Sequence, residues 1–314
     1  MSFSASAKDE LSKIIVSDLS VMTAEIAAFL RMCGTIRFQS SMELGLHFST
    51  ENASVARRLV TFIKRLYTEE VELMATKNRQ LKKRNQYQIH LKDPYSVLTL
   101  LSDSNFMSLE NVFSPNYVLN PQLIRNQETL AGYIRASFLG SGSITNPDRA
   151  YHLEFICSNE EHGKDLMYWL KKAGFDSKGI PRKDDFIIYM KEGESISDLL
   201  AYMGASQSVL HFESVRVMKD VRNGVNRLVN CETANLAKTI EASMRQIEDI
   251  TIIKETIGLS ALEEDLQKIA EYRMENPEAS LLEIGESFSP PMSKSGVNRR
   301  LKKLRDQADR LRGE

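Results

Sequence analysis

The spacing of apolar positions along this chain changes in a fixed order, and it does so twice. Residues 23–32 carry apolar or small side chains at most positions and stop at Gly34. Residues 35–41 and 42–50 alternate apolar with polar side chains about Ser40-Ser41, which is the pattern of a hairpin. Residues 51–67 then place Val55, Leu59, Phe62, Ile63 and Leu66 at helical spacing. A second alternating pair, 70–75 and 86–92, flanks a long polar turn, and 94–107 reads as a closing helix. A short helix over 6–19, with Leu11, Ile14 and Ile15 on one side, precedes this series. After a connector punctuated by Pro115 and Pro121, the order returns. It comprises a helix at 127–139, a hairpin at 143–158 turned by Asn146-Pro147-Asp148, and a helix at 160–173 with Leu166, Trp169 and Leu170. A shorter hairpin at 180–190 and a helix at 195–203 complete it.

The two series are copies. Gly34-Thr35-Ile36 aligns with Gly142-Ser143-Ile144 at an offset of 108 residues, and at that offset Thr50-Glu51-Asn52 falls on Ser158-Asn159-Glu160. A shared offset at two separated points argues for duplication. The helix within 130–144 carries Ala131, Gly132, Ala136 and Gly140, small residues that let a second backbone approach, so the copies are expected to meet along these helices.

From residue 204 onward the pattern is helical throughout. A connector holds Arg222, Asn223, Asn226 and Arg227. Such side chains suit phosphates and base edges, and Asn-rich stretches equally form turns, so both readings stand. Thr233 is placed to cap a helix to about residue 256, and Ser260 to start one over 261–274. Ser280 with Glu283 forms a capping box for a short helix over 281–288, and Ser293 caps a last helix after a proline-rich turn. In that helix Val297, Leu301 and Leu304 share one face, and six basic residues run from Lys294 to Arg305 with no acid before Asp306. Three helices, a tight turn and a basic third helix make a helix-turn-helix signature. Lys294, Ser295, Asn298 and Arg299 are expected near base edges, with Ser293 at the cap and Lys302, Lys303 and Arg305 on phosphates.

Composition confines basic surface to local patches. The formal net charge is -1, so no global attraction to nucleic acid exists, and the basic segments have to act locally. The clearest is Lys77, Arg79, Lys82, Lys83 and Arg84, in a stretch without an acid between Glu72 and Asp93. A charge run usually marks a solvated turn. An unbroken like-charge hairpin repels itself unless it faces a polyanion, which favours phosphate contact. In the second copy Arg182 and Lys183 stand beside Asp184 and Asp185, a weaker signal. Three dispersed cysteines and five histidines lack metal-ligand spacing, and no glycine loop suited to phosphate is present, so no cofactor or metal is expected. The absence of a long apolar run and of a signal-peptide pattern fits a cytoplasmic protein with no membrane contact.

Two αββαββα units joined through small-residue helices resemble the LAGLIDADG homing-endonuclease fold, an α+β saddle over DNA. That resemblance places the nine-letter motif at residues 26–34 and 134–142. In such nucleases the last acid of each motif holds a divalent cation at the scissile phosphates, because a hard cation needs anionic oxygen ligands. Those positions are Cys33 and Ser141 here, and the earlier acid positions are Arg31 and Leu139. The resemblance therefore implies a saddle without catalytic residues. Glu25 and Asp148 are the nearby acids, and neither lies at the end of a seam helix.

The combination is narrower still. A saddle lacking its acids, fused to a helix-turn-helix, is similar to the WhiA family, and the strings VRNGVNRLVNCETANLAKT, ENPEASLLEIGE and PPMSKSGVNRRLKKL carry the likeness. It implies a nucleoid-associated protein that binds double-stranded DNA and regulates transcription, in sporulation among relatives, with roles in cell division and chromosome segregation. The expected arrangement is a first repeat over 1–110, a second over 111–210, a basic linker over 211–232 and the helix-turn-helix over 233–314. The expected state is a monomer with a pseudo-dimeric saddle, open to protein partners in division or transcription. Two rival classes are a nuclease with relocated acids and a protein-interaction scaffold.

Overall fold

Two fifteen-residue helices, α2 (Leu19–Cys33) and α5 (Gln127–Ser141), form the seam that the repeat pattern predicts. Both are buried around nearly their whole circumference, which explains why they carry so little polar surface. Asp18 caps α2 through the Ser20 amide, and Asn126 with Thr129 closes a capping box on α5. The small residues serve as expected. A Cβ on Gly132 would come within 2.8 Å of Val21, and one on Gly140 within 2.8 Å of Met32. The computed structural model describes residues 2–38, 44–77, 85–107 and 115–313.

Each seam helix leads into the same unit. In the first, β1 (Gly34–Phe38), β2 (Leu44–Thr50), α3 (Ala53–Leu66), β3 (Glu72–Lys77), β4 (Asn85–Leu91) and α4 (Pro94–Asp103) follow α2. In the second, β5 (Gly142–Ile144), β6 (Leu153–Cys157), α6 (Glu160–Lys172), β7 (Lys178–Arg182), β8 (Asp185–Met190) and α7 (Gly193–Met203) follow α5. The antiparallel sheets have orders β1-β2-β4-β3 and β5-β6-β8-β7, so the duplication extends to topology. The offset of 108 is exact at the seam ends. A Cβ on Gly34 would strike the Leu30 carbonyl oxygen at 2.5 Å, and one on Gly142 the Phe138 oxygen at 2.7 Å. Further along it slips. Gly34 pairs with Phe48 and Gly142 with Phe155, and the caps of α3 and α6 are Asn52 and Asn159, so the second hairpin is one residue shorter. The expected alignment of Asn52 with Glu160 is corrected by that residue.

A preceding helix, α1 (Phe3–Ser12), joins the same core, in which Phe29, Phe48, Tyr133, Phe138 and Phe155 are fully or almost fully buried. The Glu25 carboxylate lies inside it. It accepts from Arg58 Nε and Nη2 at 2.6 Å each, and from Arg135 Nε at 3.0 Å and Nη2 at 2.6 Å. One buried anion thus ties an arginine of each repeat, and its neutralisation by Arg58, which spans both oxygens, and by Arg135, which donates twice to Oε1, offsets the desolvation cost.

The chain divides into two units, Met1–Lys219 and Asp220–Glu314. Helix α8 (Ser206–Thr256) is continuous over 51 residues, contributing Phe212 to the first core and Ile250 and Ile253 to the second. The stretch 211–232, expected as a linker, is helical, and Thr233 lies mid-helix rather than at a cap. The Asn residues that suggested turns have no proline beside them. The lone Gly224 costs about 1 kcal/mol in a helix, too little to end one of this length. The second unit continues with α9 (Glu264–Glu275), α10 (Leu281–Glu286) and α11 (Lys294–Arg312). α9 starts later than expected because residues 259–261 form a 3-10 turn and Leu262 is extended. No described helix is long and apolar enough to cross a membrane.

Candidate nucleic-acid interface

The second unit holds α11 outward by packing its other side. Val297, Leu301, Leu304 and Ala308 are buried against Ile269, Ile284 and Ile253. Ser280 and Glu283 form the expected capping box on α10, and Ser293 Oγ accepts from Gly296 N at 3.2 Å at the start of α11. The turn between them is tight because Gly285 has no side chain. A Cβ there would lie 2.2 Å from the Met292 carbonyl oxygen, and Met292 N donates to Gly285 O at 2.9 Å.

This packing leaves Lys294, Ser295, Asn298, Arg299, Lys302 and Lys303 exposed, as the sequence pattern expected. Lys303 reaches Glu263 at 3.9 Å between exposed groups, which hardly restrains it. Arg305 differs. Its Nε lies 3.6 Å from the mostly buried Asp249 carboxylate, which Arg312 also binds at 2.9 Å, so this guanidinium is partly engaged within the domain. Arg300 is engaged too, donating to Asp265 at 2.7 Å. On α8 the side chains of Arg222, Asn223, Asn226 and Arg227 are exposed, and Arg227 Nε donates to Asn223 O at 3.3 Å.

In the first unit the sheets turn one face to the helices and one outward. Ile36, Leu46, Phe48 and Ile89 face inward. Register then places Thr35, His47, His90 and Glu72 in one outward row, with Arg37 beside it. Ser49, Gln88 and Met74 form the next row, with Gln86 and Thr76 beyond. Gln86 Nε2 donates to Ser49 Oγ at 2.8 Å, and the His47 and His90 rings meet edge to face with centroids 4.0 Å apart. Both imidazoles are held below their usual pKa, first by burial and next, for His47, by His90 itself. Gln86 and Gln88 are donors suited to base edges and Arg37 to a phosphate, and the sequence reading missed them. Their signal was the phase of alternation opposite to Ile36, Leu46 and Ile89. Of the basic turn, Lys77 ends β3 without a described side chain, and Arg79, Lys82, Lys83 and Arg84 lie outside the described residues.

The second sheet presents other chemistry. Its outward rows are Ser143, Glu154, Tyr189 and Lys178, then Ile156, Ile187 and Ile180, then Asp185 and Arg182. Ile156 is 37% and Ile180 44% exposed, and Glu154 accepts from Ser143 Oγ at 3.0 Å.

At the seam ends, burial pushes the Cys33 thiol up to about 12, and Ser141 Oγ donates to Ile156 O at 2.6 Å. From α1, Lys8 Nζ donates to Leu139 O at 3.1 Å. Burial lowers its pKa to about 8, against the opposing pull of Cys33 and Glu51. Arg31 is buried and donates to the carbonyls of Ala27, Ser104, Asn116, Tyr117 and Val118. It fixes the connector between repeats. Glu25 is saturated by its two arginines, and Asp148 lies in an exposed turn. Among the described residues no three His, Cys, Asp or Glu side chains gather as a metal site.

Comparison with known proteins agrees with this layout. Three family models match: a WhiA N-terminal LAGLIDADG-like domain over residues 20–107, a WhiA LAGLIDADG-like domain over 130–222 and a WhiA C-terminal HTH domain over 225–308. The probable cell division protein WhiA of Thermoanaerobacter pseudethanolicus is 44% identical, over 99% of this chain and 98% of the relative. Its counterpart in Clostridium beijerinckii is 42% identical over 99% of each chain. The crystal structure of full-length DUF199/WhiA from Thermatoga maritima matches with a TM-score of 0.61 and 26% identity, over 99% of each chain.

Proposed function

The chain belongs to the WhiA family, and from that premise we propose that it binds double-stranded DNA without cutting it, in the cytoplasm and on the nucleoid. In this reading α11 reads sequence in the major groove, with Lys294, Ser295, Asn298 and Arg299 toward base edges and Lys302 and Lys303 toward phosphates. The observation that carries it is the exposure of these six side chains on one helix whose other face is packed. The first sheet adds a polar outward face with Arg37, Gln86 and Gln88, and the basic turn at 77–84 adds backbone charge. Two modules on one duplex raise affinity through effective concentration. The biological setting is transcription regulation together with cell division and chromosome segregation.

The seam supports a role without catalysis. A thiol kept neutral and a hydroxyl bonded to a carbonyl stand where carboxylates would hold a cation, and the Lys8 ammonium reaches the seam end at the Leu139 carbonyl. A cation placed there would meet a charge of its own sign. The test is a gel of labelled genomic fragments with purified protein, with and without magnesium, across a salt series. A salt-sensitive shift with intact DNA is expected, and Arg299→Ala should weaken a specific site by about 1–3 kcal/mol. Magnesium-dependent cuts would overturn the reading.

The exposed Ile156 and Ile180, which flank the buried Ile187, favour a second reading for the second sheet, contact with a protein partner rather than with DNA. Ile180→Lys would then leave the gel shift unchanged while reducing recovery of that partner from the cell.

A further inference from the structure

Helix α8 carries a row of exposed apolar side chains. Met218, Val221, Val225, Val229, Leu236 and Ile240 are all between 47% and 61% exposed. Their steps are three and four residues, with Glu232 in the one gap, and they follow an eleven-residue repeat. That repeat averages about 3.67 residues per turn, so the face runs nearly straight along an α-helix. At about 1.5 Å per residue it extends roughly 33 Å. A helix of 51 residues with such a stripe has the form of one that pairs with another helix. The polar Asn223, Arg227 and Asn230 project away from it, so pairing would leave them free.

Charge selects the occupant. Arg222 borders the stripe near one end, and Glu232 interrupts it toward the other. Laying the helix antiparallel on itself about Arg227 brings Arg222 against Glu232 of the second copy, and Glu232 against its Arg222. The same operation sets Val225 over Val229 and Met218 over Leu236. A two-fold pairing satisfies both charges and both apolar pairs at once. We propose that this face of α8 seats the same face of a second copy of the chain, antiparallel and centred on Arg227. The sequence reading expected a monomer, and the exposed stripe is the reason to depart from it. The proposal uses neither α11 nor the sheets, and of the connector side chains suited to phosphates it takes up Arg222 alone.

The test uses the full chain with Cys231→Ser as background. Sedimentation across a concentration series should show a monomer–dimer equilibrium. Arg222→Glu or Glu232→Arg alone should weaken it about tenfold, as two charge pairs become like-charge contacts, and the two changes together should restore it. Under mild oxidation a mixture of Val225→Cys and Val229→Cys proteins should cross-link, and each alone should not. Cross-linking of Val225→Cys with itself would overturn the antiparallel register. A monomer at all concentrations would overturn the proposal. So would a monomer whose thermal unfolding drops on Val225→Glu/Val229→Glu, because the face would then be covered by its own chain.

Discussion

The two sheets share strand order, pairing and seam, yet their outward faces differ in kind. The first shows Arg37, His47, Gln86 and Gln88, and the second shows Glu154, Tyr189 and two exposed isoleucines, Ile156 and Ile180. The inward faces explain the likeness. Phe48 and Phe155 fill equivalent core positions, and Gly34 and Gly142 turn equivalent corners, so packing leaves those residues little freedom. Outward side chains carry no such constraint. A duplicated fold can therefore keep one architecture and give each half its own surface chemistry.

The strongest way to break this comparison is at the anion the halves share. Glu25→Gln removes the charge between Arg58 and Arg135, leaving two buried guanidiniums uncompensated, and should destabilise the first unit by about 3–5 kcal/mol in chemical denaturation. Both sheets should then unfold together. Independent unfolding of the halves would show that the seam is not one core.

Acid weighs on both halves, most through the second. His162 in α6 is fully buried, its Nε2 lies 3.2 Å from the Tyr133 hydroxyl, and burial lowers its pKa to about 3. A histidine held below its unfolded value of roughly 6.5 contributes stability that is present above that value and is lost as pH falls toward the folded pKa. Between pH 6.5 and 4.5 the protein should lose about 2 kcal/mol through this residue. His162→Gln should flatten that portion of the stability profile, and an unchanged profile would mean the imidazole titrates freely. The His47 and His90 pair in the first repeat is shifted the same way and adds to the slope.

The smallest effect sharpens the functional side of the contrast. Arg37→Ala on the first sheet should lower DNA affinity and reduce the salt slope by about 1, as loss of one phosphate contact does. Lys178→Ala on the second sheet should change neither. Equal losses from both sheets would argue that the saddle meets DNA symmetrically.

Much of this was readable before the fold was known. Helical and alternating periods located the elements of both repeats, because half-buried strands and helices must alternate or recur to bury one face. The capping residues Ser280 and Ser293 were identified locally, since a cap depends on neighbours a few residues away. Thr233 was misread as a cap for a related reason. Asn side chains can end a helix, but whether they do depends on whether the surrounding residues favour continuing it.

What the sequence determined by itself was periodic or local: the duplication, the seam, and a basic last helix with one packed face. The tertiary structure decided what depends on residues far apart meeting. It joined Glu25 to Arg58 and Arg135, set Lys8 against the Leu139 carbonyl, drew Arg305 toward Asp249, and placed Arg37 and Gln88 on one outward face. Strand register and helix packing set those distances, and neither is written in the spacing of any single segment.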